Sequence, residues 1–211
     1  MMEPAFKPEV VRCVPAHVDS AQLETDLAYL REKALAKGAG PCEILKKTDI
    51  VFSPDILKQV AADNRLPSAH WPLEYPRDDL NEAIDAYEWG IFFQLPVETD
   101  FPDYGGGPVD PPEHRQLYIK AYEIVTILES SAFYMGYHLA IGLASGNCRA
   151  VFCPDERRCP ATIKGRTCIR PNSGRPSMAA AGIDARAMGR ALNWEMPSDN
   201  AVFLGGLVMI H

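Results

Sequence analysis

Apolar residues along the chain follow two different periods, one typical of helices and one typical of strands. In residues 19–37 and 113–136 they recur every three or four positions, which predicts two amphipathic helices. Asp19 and Ser20 provide an N-cap for the first helix, and Gly38 ends it. The predicted core-facing residues are Leu23, Leu27, Leu30 and Ala34 in the first helix and Leu117, Ala121, Ile124, Val125, Leu128 and Ala132 in the second.

Other stretches are extended, and short helices lie between them. The run at 89–97 (WGIFFQLPV) predicts an interior strand, and the run at 201–210 predicts a final buried strand. Further extended segments are predicted at 9–14, 44–52 and 138–143, loops at 63–76 and 99–112, and short helices after Pro54, Asp78 or Asp79, Ser177 and Asp184. This alternation predicts an α/β fold in which helices flank a central sheet. Residues 1–211 form a single domain, with a cysteine-rich loop region in the C-terminal half.

Composition narrows the class of protein. A chain of 211 residues that is 47% hydrophobic and 23% charged can bury one sizeable core. The net charge of −7 argues against nucleic acid as a partner. The first residues carry charges and no apolar core of a signal peptide, and no apolar run approaches the roughly 18 residues of a membrane span. We therefore expect a cytoplasmic protein without a membrane partner.

The cysteine segment, residues 146–184, carries the strongest chemical signal. Four of the six cysteines fall within 21 residues here: Cys148, Cys153, Cys159 and Cys168. The segment is also the one basic region of an acidic chain. Its basic residues are Arg149, Arg157, Arg158, Lys164, Arg166, Arg170 and Arg175. In a reducing compartment, clustered cysteines favour metal ligation over structural disulfides.

Three interpretations of the four cysteines compete. Four thiolates on a loop rich in proline suit a [4Fe–4S] cluster, whose roughly two negative charges the basic residues would offset. Structural Zn²⁺ favours shorter ligand spacings, and only Cys148 and Cys153 meet that limit. The third interpretation is ordinary thiols or disulfides. Spacing and compartment favour a metal, and iron–sulfur over zinc.

Several motifs in the C-terminal half point to a family. They are 133–137 (FYMGY), 142–148 (GLASGNC), 168–171 (CIRP) and 175–184 (RPSMAAAGID). Over residues 116–211 this pattern resembles DUF2284, the predicted metal-binding family. The resemblance implies a metal, with an iron–sulfur cluster as the expected form, and it implies no particular reaction.

The chain departs from the family pattern in one respect. Members of the family often carry further cysteines in the first half, whereas the corresponding stretch here, residues 63–76, contains none. The cysteine segment would therefore supply the thiolates nearly alone. Cys13 and Cys42 are interpreted as buried thiols outside the metal site.

The candidate residues other than the cysteines each have a simpler structural interpretation. Arg175 and Ser177 lie where a helix should begin and could support a bound anion or the cluster. The alternative is that Ser177 is an N-cap and that Arg175 pairs with a nearby acid. His70, His114 and His138 belong to no recognisable catalytic pattern and are interpreted as loop or surface residues. Asp78, Asp79 and Asp110 are interpreted as caps and loop residues.

Three functions follow from these interpretations. The first is electron transfer, or a redox accessory role to an anaerobic enzyme, with a redox protein or an enzyme as partner. The second is an enzyme in which three cysteines bind the cluster and one open iron acts as a Lewis acid on a small substrate. The third is a zinc-stapled interaction module.

Overall fold

The computed structural model describes residues 19–62, 84–97, 104, 109–156, 159–162, 167–198 and 201–211. The predicted strand at 9–14, the loop at 63–76, most of the loop at 99–112 and the caps at Asp78 and Asp79 lie outside these residues. Cys13 and His70 lie outside them as well. Ile84 and Tyr87, which follow the predicted cap at Asp78 or Asp79, are described and buried.

An antiparallel sheet organises the described part of the chain. Its strand order is β1-β2-β4-β3, and every neighbouring pair is antiparallel. The interior position predicted for residues 89–97 is confirmed, because β2 pairs on both sides. The strands are β1 (Cys42–Lys46), β2 (Trp89–Gln94), β3 (Ile141–Ala144) and β4 (Gly205–Met209).

Helices cover the two faces of this sheet. The first begins as predicted, since the Asp19 carboxylate accepts a hydrogen bond of 2.9 Å from the backbone N–H of Ala21. It ends at Gly38, which has the left-handed φ of +92°. The helices of the described residues are α1 (Ser20–Ala36), α2 (Pro54–Ala62), α3 (Pro112–Tyr134), α4 (Cys148–Phe152) and α5 (Ala185–Ala191).

Alternating strand residues divide the core into two layers. Ile91, Phe93 and Val208 point to one face of the sheet, where they pack with the apolar stripes of α1 and α3. Phe92 and Leu207 point to the other face, in a cluster that extends to α5. The chain is therefore an α/β domain with helices on both faces of one sheet, as predicted. Within the described residues, none of the helices is long and apolar enough to cross a membrane.

All four strands of the sheet are shorter than the apolar pattern indicated. The extended segment at 44–52 ends at Lys46, because the backbone N–H of Lys46 donates to the Asp49 carboxylate and closes a 3₁₀ turn over Lys47–Asp49. The final strand begins at Gly205. Burial extends beyond the paired residues at this end, since Ala201, Phe203 and Leu204 are also buried. An apolar run therefore reports burial more closely than strand pairing.

Candidate metal centre

Two glycines bring the chain close to α3 just before the cysteines. A Cβ on Gly142 would lie 2.4 Å from Cγ1 of Val125, and one on Gly146 would lie 2.4 Å from Cε1 of Tyr118. Gly146 also has a φ of +75°, which an L side chain rarely adopts. The glycines of the GLASGNC motif therefore allow close packing on α3 and a sharp turn into α4.

Cys148 is the first residue of α4 and faces the protein interior. The Asn147 side chain caps this helix by accepting a hydrogen bond of 2.9 Å from the backbone N–H of Arg149. Cys148 is 4% exposed and lies beside the buried phenol of Tyr122. Burial raises the pKa of Tyr122 well above its usual value, and the neighbouring Cys148 contributes in the same direction.

Arg170 connects the thiols of Cys153 and Cys168. The backbone N–H of Arg170 donates to Sγ of Cys168 at 3.3 Å, and the Arg170 guanidinium lies close enough to Cys153 to lower the pKa of that thiol. Cys153 and Cys168 also lie close enough to interact electrostatically. The CIRP motif therefore supplies one thiol, one backbone hydrogen-bond donor and one positive charge close to Cys153.

The electrostatics of Cys153 reflect this environment. Burial raises the pKa of the Cys153 thiol, and Cys168 raises it further, while the Arg170 guanidinium acts in the opposite direction. Cys153 is accordingly a thiol rather than a thiolate in the metal-free protein. Metal binding to it would release a proton, because the thiolate is the ligand form.

The remaining described cysteines are also outside disulfides. Cys159 is buried at the start of a 3₁₀ turn, Pro160–Thr162, and none of the five described cysteines forms a disulfide. Cys42 is 3% exposed in the core, which agrees with its interpretation as a buried thiol. Burial raises the pKa of Cys42 to about 12, against the lowering effect of Arg31.

The four cysteines are chemically suited to bind a metal as thiolates, and the structure brings two of them together. A pair of thiols with one N–H donor and a nearby guanidinium charge suits a soft metal ion or an iron–sulfur cluster. The described residues contain no group of three or more His, Cys, Asp or Glu side chains arranged to hold a metal ion. Cys153 and Cys168 are thus brought together, and the full set with Cys148 and Cys159 stays a prediction.

Arg175 and Ser177 are occupied by contacts within the fold. Arg175 pairs with Glu129 through a contact of 2.5 Å between Nη2 and Oε2. The Ser177 hydroxyl accepts a hydrogen bond of 3.0 Å from the backbone N–H of Ala180. These contacts match the alternative of a cap and an acid-paired arginine, and a role in supporting an anion or cluster stays a prediction.

Sequence reasoning missed Glu129 and Arg170 as site residues. The signal for Arg170 was available, because it stands inside the CIRP motif two residues after Cys168. Glu129 directly follows the core residue Leu128 in α3, where a half-buried acid indicates a buried partner. The identity of that partner could be found only from the fold.

His114 and His138 contact aromatic residues outside the cysteine segment. Nδ1 of His114 lies 2.5 Å from the hydroxyl of Tyr104, which also donates to the backbone carbonyl of Asp110. The exposed ring of His138 packs edge-on against Phe133, with ring centroids 4.8 Å apart. The exposure of His138 and Asp110 is consistent with their interpretation as loop or surface residues, whereas His114 is half-buried in the first turn of α3.

Comparison with known proteins gives one match. The family profile described as "Predicted metal-binding protein (DUF2284)" matches residues 43–210. No curated protein matches the chain, and no solved structure does. The match includes the two glycines, the four clustered cysteines and Arg170 described above. The chain therefore belongs to DUF2284, a family of predicted metal-binding proteins.

Proposed function

We propose that this protein binds a [4Fe–4S] cluster through Cys148, Cys153, Cys159 and Cys168 and serves in electron transfer, or as a redox accessory to an anaerobic enzyme. The observation that carries the proposal is the Cys153–Cys168 pair, with the backbone N–H of Arg170 donating to Cys168 and the positive charge of Arg170 near Cys153. Hydrogen bonds to cysteine sulfur and nearby positive charge are the means by which proteins stabilise a cluster and tune its potential.

Each residue has a distinct role in this proposal. The four thiolates hold the cluster, and Arg170 offsets part of its negative charge. Four thiolate ligands leave no open iron position, so the chemistry that a bound cluster supplies is outer-sphere electron transfer. Burial of Cys148, Cys153 and Cys159 limits the access of water to the ligands.

Anaerobic purification tests the proposal directly. We expect a brown protein with absorbance near 400 nm and about four iron and four sulfide ions per chain. Replacement of each of the four cysteines by serine should lower the iron content. Cys42→Ala is the matched control, because Cys42 is buried outside the cysteine segment, and iron content should be unchanged there.

The other functions give different results. A colourless protein with one zinc ion would refute the cluster and support the zinc-stapled module. If one of the four serine variants keeps its iron yet loses a spectral change that a small ligand induces in the wild type, the cluster has an open iron. That result would support the enzyme and exclude simple electron transfer.

A further inference from the structure

A cavity lies at the C-terminal end of α3, separate from the cysteine pair. Its volume is about 300 Å³, which is the lower end of the range for small-molecule sites. Among the described residues, it is lined by Glu129, Phe133, Tyr134, Tyr137 and His138, together with Ser130 and Ala140. A cavity of this size suits a compact ligand.

Two of the aromatic rings that line the cavity are exposed to solvent and are not packed in the core. Phe133 is 49% exposed and Tyr134 is 86% exposed, so both rings face solvent at one helix end. Their ring centroids lie 5.8 Å apart in an edge-to-face arrangement. Tyr137 is held in place, because its hydroxyl donates a hydrogen bond of 2.9 Å to the buried Asp26 carboxylate. Adjacent exposed aromatic rings around a cavity indicate a binding surface.

The electrostatics of the cavity favour a cation. The lining described here includes the Glu129 carboxylate and no lysine or arginine. The ion pair with Arg175 neutralises much of the negative charge of Glu129. The preference of the cavity for a cation therefore comes mainly from the aromatic rings and the helix end. The C-terminus of a helix carries partial negative charge, and α3 has 23 residues and no basic side chain in its last turn.

We propose that this cavity binds a small organic cation of the quaternary ammonium class. Aromatic faces attract such cations through their quadrupoles, and a methylated ammonium is weakly enough hydrated to enter an aromatic site. No cysteine lines this cavity among the described residues, so its test does not depend on the proposed function.

Calorimetric titration of the full-length protein, purified anaerobically with its metal, tests the proposal. The probes are choline and 3,3-dimethylbutan-1-ol, an uncharged isostere of choline, at constant ionic strength. We expect choline to bind with a Kd of about 1 mM and the isostere to bind at least about fivefold more weakly. Equal affinities, or no choline binding up to about 20 mM, would overturn the proposal.

Aromatic variants locate the site. Phe133→Leu and Tyr134→Leu keep apolar bulk but remove the aromatic face, and each should weaken choline binding about 2- to 30-fold. Tyr29→Leu is the control, because Tyr29 is also exposed but lies on α1. The Tyr134 ring is largely in solvent, so that variant keeps the test valid if Phe133→Leu fails to fold. Wild-type affinity in the Tyr134 variant would contradict the assignment.

Discussion

Arg175 donates from both Nε and Nη2 to Oε2 of Glu129, at 2.7 and 2.5 Å. The other oxygen of Glu129 accepts a hydrogen bond of 3.0 Å from the backbone N–H of Gly142. Nη1 of Arg175 reaches back to the carbonyls of Pro171 and Gly174. One carboxylate on α3 therefore fixes both β3 and the chain that follows Cys168.

Arg175→Lys should destabilise the protein and loosen the segment that carries Cys168. Lysine keeps the charge but cannot reproduce the planar set of donors. The pair is largely shielded, with side-chain exposures of 15% and 23%, so we expect a loss of about 1–2 kcal/mol and a fall in Tm of about 2–8 °C. Thermal unfolding followed by circular dichroism measures this.

The control for this substitution is Arg190→Lys. Arg190 is exposed in the last turn of α5, so the Tm of the Arg190→Lys variant should stay close to that of the wild type. Equal Tm values for Arg175→Lys and the wild type would show that the planar donor set of Arg175 contributes nothing to stability.

Arg170→Gln should weaken metal binding while leaving the fold intact. The substitution keeps the backbone N–H that reaches Cys168 and removes the guanidinium beside Cys153. Loss of a residue that supports metal ligands costs about 10- to 100-fold in affinity. Competition with a chelator, followed by metal release, measures the change.

Arg31→Gln is the matched control for that experiment. Nε of Arg31 also contacts a cysteine residue, through the backbone carbonyl of Cys42 at 2.8 Å, far along the chain from the cysteine segment. Metal release should match the wild type there. Similar release from both variants would mean that Arg170 has no specific role at the thiols.

The two long helices could be predicted from the sequence, whereas α4, which lies in the predicted loop region, and the contacts at the site could not. The apolar period located α1 and α3 because each helix is encoded within its own residues. Glu129 and Arg175 are separated by 46 positions, and only the sheet brings them together. Spacing showed only that Cys148 and Cys153 meet the ligand separation typical of zinc. Helix α4 fills the interval between them, and the structure places Cys168, 15 positions further along the chain, close to Cys153.

Gly146→Ala should destabilise the protein more than Gly136→Ala. Both glycines have positive φ values, +75° and +103°. A Cβ at position 136 meets nothing within 4 Å, whereas one at position 146 would lie 2.4 Å from the Tyr118 ring. The difference isolates the close approach, which should cost about 1–3 kcal/mol beyond the backbone strain that both share. Urea unfolding of the two variants measures it, and equal losses would show that Tyr118 moves aside freely.

Ionisation of the buried Cys42 thiol should make the protein less stable at alkaline pH. Its pKa is raised from the ordinary 9.0 to about 12 in the folded state, so the unfolded chain loses this proton first. The stabilisation that comes from keeping this thiol protonated is therefore fully present below pH 9 and is lost as the pH rises through about 12. Its upper bound in the free energy of unfolding is about 4 kcal/mol. Urea unfolding of the wild type and Cys42→Ala between about pH 8 and pH 11 measures this, and the alanine variant should lose stability less steeply. Parallel pH dependences in the two proteins would place the alkaline sensitivity elsewhere, with the buried phenol of Tyr122 as the next group to replace.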